Sequence, residues 1–410
     1  MSFRYIGCRL GLIMFYKLGC FLKGRLFLIA LLPVAIVLLG RFWWPGESSA
    51  WASSTRFALL AFLVCLVFVE RSFFVRLDKK LGVVLLLFGG WVILSVALFD
   101  GQSEVLRRGL VLAVFICAVA VLKMDGEAAL LNLLRAAALV GTAAALVTIY
   151  FELERRGLDF RYRAFRLHSS GVPGFAEFFN PIISGMHMAF AGLTACWCVL
   201  FARTPAARCL WFCCLSVIAV YVFLTYSRSA WLALGLGGVV LLTLRGRAIF
   251  WGIFVGAMTL ALVVITIKFP QVFSVEVERG TTNRDLIWAM VIDSMPGYWL
   301  AGHGAGIEMS QMSIPGQTVV NTHSLYLEVL FQYGVVGLLL FLVALLMAAK
   351  AMWADRSDLS VLGVSLLAGS VGVMFFELHS FIHSPNLVWL WIWFPMAIAL
   401  GSQIRRSAQR

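Results

Sequence analysis

Asn321-Thr322-His323-Ser324 places an ionisable, proton-accepting side chain at the mouth of a long apolar run that begins at Leu325. A titratable group at the edge of a membrane-length helix is costly and is a functional candidate by default. Asn321 and Thr322 are both good caps, so His323 is expected in the first helical turn. The positive end of the helix dipole there favours a neutral imidazole that can take a proton from an attacking hydroxyl.

Arginines supply the second kind of chemistry. Arg228 stands alone in the short turn 225–228 between two apolar runs, where a guanidinium can grip a phosphate with two prongs. Its plain alternative is a snorkelling helix-end arginine. Arg284 opens a helix-like segment, Arg284 to Ile292, closed by Pro296-Gly297. It suits the same phosphate role, or else an ion pair with Asp285 or Glu278. Arg161, Arg163 and Arg166 alternate with Tyr162, Phe165 and His168, as in a strip that lines an anionic substrate or as in a solvated basic loop. His303 lies in the glycine-rich turn Gly302-His303-Gly304-Ala305-Gly306 and is a secondary loop candidate.

His379 and His383 are four apart with Glu377 nearby, a spacing that on a helix can hold zinc. No third ligand and no HExxH accompany them, so substrate contact or helix packing is the better reading, and no metal site is expected. Glu152-Leu153-Glu154 and Glu276-Val277-Glu278 are the nearest approaches to a divalent-cation pair. No GxxxxGK[ST] occurs, so ATP is not expected to drive the chemistry. Glu328 and Gln332 fall just inside the apolar run after His323 and are expected to hydrogen-bond neighbouring helices.

The elements that must position these residues are membrane helices. The chain has 410 residues, 62% of them hydrophobic and 13% charged. Its charges fall between apolar runs long enough to span a bilayer as helix. Strands that span would be shorter and would alternate. Twelve runs are predicted, at about 26–44, 54–70, 81–99, 107–123, 129–151, 181–202, 209–225, 229–244, 248–267, 324–349, 359–380 and 387–402. The chain reads as one integral membrane domain, all-α, with a large loop over 268–322 that carries interfacial helices.

The net charge of +13 reflects loop Lys and Arg rather than a nucleic-acid partner. With twelve spans, the linkers on the side of the termini hold nineteen Lys and Arg and the other side holds thirteen, which puts both termini in the cytoplasm. The non-cytoplasmic basic residues run against that bias and need another reason. An anionic ligand such as phosphate or pyrophosphate is the first, and anionic lipid headgroups are the second. All nine cysteines sit in apolar segments or near the N-terminus, so no disulfide framework is expected. The basic N-terminus followed by an apolar run reads as an uncleaved first helix.

Three segments in this order resemble the O-antigen ligase/polymerase family of bacterial inner membranes. They are Thr225-Tyr226-Ser227-Arg228-Ser229-Ala230-Trp231, then Arg284 to Trp288 leading into Gly302–Gly306, then His323 followed by Gly334 and Gly337. Each motif is short, and the ordered set covers about 220 to 345. The resemblance implies a glycosyltransferase in a multi-pass inner-membrane protein with a periplasmic active site. Its donor would be an O-antigen glycan on undecaprenyl pyrophosphate, and its acceptor a lipid A-core hydroxyl. In a polymerase of the same family, the acceptor would be another lipid-linked repeat. Set beside that reaction, the residues read as His323 for the base, Arg228 and Arg284 for the pyrophosphate, and Arg161, Arg163, Arg166, His303 and His383 for further substrate contact. No cofactor is implied. The competing class is a twelve-span transporter or flippase, which would show repeats and polar groups at mid-membrane. Here the polar groups gather at one face.

Overall fold

The computed structural model describes residues 26–402 apart from 44–47, 70–71, 100, 158–165, 269, 279, 281–282, 310–312, 315–316 and 319–320. The predicted basic strip at Arg161 and Arg163 lies outside the described residues; Arg166 lies within them.

The helices are α1 (Leu26–Trp43), α2 (Ser48–Val69), the short α3 (Ser72–Arg76), α4 (Lys79–Leu98), α5 (Glu104–Asp125) and α6 (Glu127–Arg156). They continue with α7 (Pro181–Phe201), α8 (Pro205–Leu224), α9 (Arg228–Arg245) and α10 (Ala248–Lys268). Two short helices follow, α11 (Gln271–Glu278) and α12 (Arg284–Asp293), then α13 (Leu325–Asp355) and α14 (Asp358–Val373). A π-turn at Trp389–Trp393 runs into α15 (Phe394–Leu400). Among the described residues nine of these helices are long and apolar enough to cross a membrane, so the chain is a polytopic membrane protein. Two small antiparallel hairpins, β1 (Ser169–Val172) with β2 (Phe175–Glu177) and β3 (Ser313–Ile314) with β4 (Gln317–Thr318), interrupt the expected all-α chain.

Short polar residues start the apolar helices. Asn180 Oδ1 accepts from Ile183 N–H at 2.9 Å, and Thr204 Oγ1 accepts from Ala207 N–H at 3.2 Å. Each side chain satisfies one of the donors a helix start leaves open, which matters most where water is scarce. α7 is the central helix, with 83% of its apolar window buried, whereas α4 and α8 are 22% buried and form the rim. Rim residues such as Leu86 and Val67 are large, apolar and exposed, as a lipid-facing surface requires. Inside, α9 meets α14 through small residues: Ser365 Oγ donates to Gly237 O at 2.7 Å, and Gly369 faces the Ala233 backbone. Such faces let membrane helices approach closely.

α13 is two limbs. Gly334 has φ 66° and ψ −170°, which breaks the helix between 325–333 and 335–355. The second limb measures about 31 Å at 1.5 Å per residue, close to one hydrocarbon thickness. The first limb is therefore extra length, and it carries the site. Backbone groups freed by the break are taken up by the segment 299–304. Val335 N–H donates to Trp299 O at 2.8 Å, and His303 N–H donates to Phe331 O at 2.8 Å. Any Cβ at Gly334 would collide with the Leu300 carbonyl, so glycine is required there both for the positive φ and for the contact.

Candidate functional site

The site forms where α8, α9, α12, the first limb of α13 and the segment 374–388 converge. α8 ends at Leu224 and α9 starts at Arg228, so Thr225-Tyr226-Ser227 must reverse the chain in three residues. Tyr226 takes φ 51°, and Ser227 caps α9 through Oγ, which accepts from Ala230 N–H. Trp231 locks the turn by stacking on Phe223 at 5.7 Å and donating Nε1–H to Val222 O at 3.0 Å. Arg228 projects from this turn and donates Nη1–H to Gly280 O at 3.0 Å, on the approach to α12. Arg166 reaches the same turn and donates Nε–H to Thr225 O at 3.3 Å.

α12 packs Ile287 and Val291, with Met295 just beyond its end, against Leu330 and Phe331 of the first limb, in a small core of its own. Trp288 Nε1–H donates to Thr322 O at 3.1 Å, which ties α12 to the residue before His323. At the head of α12, Arg284 Nη2–H donates to Glu377 Oε2 at 3.2 Å. The other oxygen of that carboxylate, Oε1, stands 3.7 Å from His323 Nδ1. Glu377 thus lies between the arginine and the histidine, and its side chain is only 7% exposed. His323 Nδ1 is itself buried and makes no hydrogen bond among the described residues; 3.7 Å is a near approach rather than a bond.

His323 does not occupy the first helical turn. Ser324 is the cap, and the helix begins at Leu325. Asn321 Oδ1 instead accepts from His323 N–H at 3.0 Å, an Asx-type turn that places His323 at φ 49° just outside the helix. Histidine tolerates the left-handed region better than most residues, yet the conformation costs energy and clusters at functional positions.

Two polar residues of the first limb hold the surrounding loops. Glu328 Oε1 accepts from Ser380 N–H at 2.8 Å and from Phe381 N–H at 3.4 Å. Gln332 Oε1 accepts from Gly306 N–H at 3.0 Å. Both partners are loop backbones, where neighbouring helices were expected. By fixing 380–381, Glu328 also fixes the position of Glu377.

The segment predicted as helix to residue 380 ends at Val373, and Leu378 and Ser380 take φ 65° and 63°. His379 and His383 are therefore not on one helical face, and the four-residue metal spacing has no geometric meaning here. His379 lies near Glu377 and His323, and burial lowers its pKa from the ordinary histidine value. His383 turns away toward Arg56, Arg107 and Arg108; burial and the Arg108 charge lower its pKa too. His303 is sandwiched between Tyr298 at 4.0 Å and Phe331 at 4.4 Å, with Nε2 3.0 Å from Ser294 O. Desolvation lowers its pKa as well. Its bonds latch the glycine-rich turn to α12 and α13. Among the described residues no group of three or more His, Cys, Asp or Glu stands close enough to hold a metal ion.

Sequence reasoning singled out Arg166, Arg228, Arg284 and His323 and missed Glu377, which joins Arg284 to His323. The one available signal was a carboxylate beside an apolar helix end. Residues 210–342, which span Arg228, Arg284 and His323, match the family model described as O-antigen ligase. Over 402 residues, 93% of this chain and 93% of the relative, the chain is 24% identical to the O-antigen ligase of Pseudomonas aeruginosa.

Proposed function

Given that the chain belongs to the O-antigen ligase family, enzymes that transfer a lipid-linked glycan, we propose that it moves O-antigen polysaccharide from undecaprenyl pyrophosphate to a lipid A-core hydroxyl. The reaction takes place at the periplasmic face of the bacterial inner membrane. In this reading α10, α14 and the 389–400 helix complete twelve spans, with both termini cytoplasmic and residues 268–322 periplasmic. Likeness along nearly the whole length to a relative named ligase supports this acceptor over that of a polymerase.

The observation that carries the reading is the shared carboxylate: Glu377 touches Arg284 with one oxygen and faces His323 Nδ1 with the other. With its proton on Nδ1, toward Glu377, the imidazole keeps an accepting lone pair on Nε2. Glu377 is then a positioning residue, comparable in role to the orienting acid of a catalytic triad. Arg228 and Arg284 bind the pyrophosphate, with Arg166 supporting the turn that carries Arg228. Arginine suits this role because its planar fork matches two phosphate oxygens.

The acceptor oxygen attacks the anomeric carbon of the donor sugar. The bond from that carbon to the pyrophosphate oxygen breaks, and undecaprenyl pyrophosphate leaves with the electron pair. The acceptor proton passes to His323 Nε2. Attack and departure on opposite faces invert the anomeric centre in one step, with no covalent enzyme intermediate. The guanidinium groups stabilise the charge on the leaving group in place of a cation. A pyrophosphate that draws Arg284 toward itself would release Glu377 to close on His323.

The test is reconstitution of the purified protein with undecaprenyl-pyrophosphate-linked glycan and lipid A-core, in the presence of excess chelator. Ligated, anomerically inverted product is expected. Retention of configuration would refute the single-step route. Turnover that stops on chelation and returns with magnesium would refute the arginine-only clamp.

A further inference from the structure

A second cluster of basic groups lies at the same end of the bundle, outside the site described above. Arg56, Arg107, Arg108, Val111, His383 and Ser384 line a small cavity of about 50 Å³. Its walls come from α2, α5 and the 374–388 segment. Arg107 and Arg108 share one carboxylate, Glu104, which lies 3.1 Å from Arg108 Nε. Arg56 differs from both. It sits two turns into α2, about 12 Å along a membrane-length helix, and its one hydrogen bond, at 2.6 Å, goes to the neutral Ser384 Oγ. No carboxylate pairs with it among the described residues. The cavity thus holds three guanidinium groups against one carboxylate.

A charge set inside a membrane helix without a counter-ion is expensive, and such residues mark ligand sites. Half-buried Arg56 and Arg108 with exposed Arg107, a hydroxyl and an imidazole make a donor-rich set suited to a tetrahedral oxyanion. Its position adds a constraint. Glu377 and His383 belong to one irregular segment and are six residues apart, so the cavity opens within about 20 Å of the His323 site.

Resting on the proposed ligase reading, we propose that Arg56, Arg107, Arg108, His383 and Ser384 form a subsite for a phosphate group on the acceptor glycolipid. The subsite anchors the acceptor by its anionic substituent a short distance from the hydroxyl that reacts. The donor pyrophosphate stays with Arg228 and Arg284. Acceptor and donor are then held by different arginines, so their affinities separate on mutation.

The experiment measures binding of phosphorylated and enzymatically dephosphorylated lipid A-core to the full-length protein in detergent, with phosphatidylglycerol as competitor. Wild type should prefer the phosphorylated form. Arg56→Gln, which can still reach Ser384, should lose at least about tenfold of that preference, as for one charge-assisted bond. Arg108→Gln should behave alike, and it guards against misfolding of the first variant. Donor affinity should stay at the wild-type value in both. Equal binding of the two acceptor forms to wild type would overturn the proposal. So would displacement by phosphatidylglycerol at matched concentration, which would make the cavity a bulk-lipid site, and so would a parallel fall in donor affinity. Phosphate-selective binding without transfer would refute the ligase reading and leave the subsite standing.

Discussion

Lys123, at one end of the bundle, is fully answered. Its side chain is 4% exposed, and the ammonium meets Asp355 Oδ2 at 2.9 Å, Glu127 Oε2 at 3.2 Å and Ser357 Oγ at 2.6 Å. Asp355 accepts in turn from Ser357 at 2.7 Å and Ser360 at 2.5 Å. At the other end Arg56 meets a neutral serine, Arg228 donates to a backbone carbonyl, and Arg284 shares its carboxylate with a histidine. Both ends place cations on helices. One ties α5 to α13 through a buried ion pair; the other gathers arginines beside backbone in the left-handed region at Tyr226, His323, Leu378 and Ser380. A cation buried among its own counter-ions builds structure, while arginines gathered beside strained backbone mark a candidate ligand site.

Breaking each end should therefore give a different kind of loss. The largest is at His323. His323→Ala, or His323→Asn where the left-handed conformation must be kept, should insert normally and lose about 10²–10⁴ in turnover, read from initial ligation rates. Lys123→Met should do the reverse. It strands Asp355 and should cost about 3–5 kcal/mol of stability, seen as lower thermal resistance and yield, with turnover per folded molecule unchanged. Equal losses of activity per molecule in the two would erase the contrast between the ends.

Smaller effects sharpen the picture. Arg228→Ala and Arg284→Ala should weaken donor binding by about tenfold or more each, and Lys at either position should restore only part, since it keeps charge without the fork. Full recovery in Lys would reduce the contact to simple charge. Glu377→Gln should be mildest, a several-fold drop in turnover and a change in the pH–rate profile, because it disorients the imidazole without removing it. A profile identical to wild type would leave Glu377 only a structural partner of Arg284.

Most of the helices were legible as apolar runs, since a bilayer imposes length and composition directly. The candidate residues Arg228 and His323 stood out in the sequence too, because each sits at a helix mouth. Tertiary features were not. Glu377 is 93 residues from Arg284, and no spacing rule joins them. The Glu328 carboxylate takes the N–H groups of Ser380 and Phe381 and holds irregular backbone where a helix was expected. The cap passed to Ser324 because Asn321 spends its side chain on His323 N–H and the Thr322 hydroxyl is engaged with the Ser324 backbone, local bonds that compete with capping. The break at Gly334 depends on a loop more than thirty residues upstream filling the freed backbone sites.

The division of labour between histidine and arginines is tested most directly by measuring donor affinity and turnover per bound donor side by side in His323→Asn and Arg228→Ala. A crossed result is expected. His323→Asn should bind donor about as well as wild type and turn it over hundreds of times more slowly, whereas Arg228→Ala should bind poorly and lose far less per bound donor. If His323→Asn fails to bind donor while its residual turnover per bound donor stays normal, His323 is a ligand contact and the base lies elsewhere.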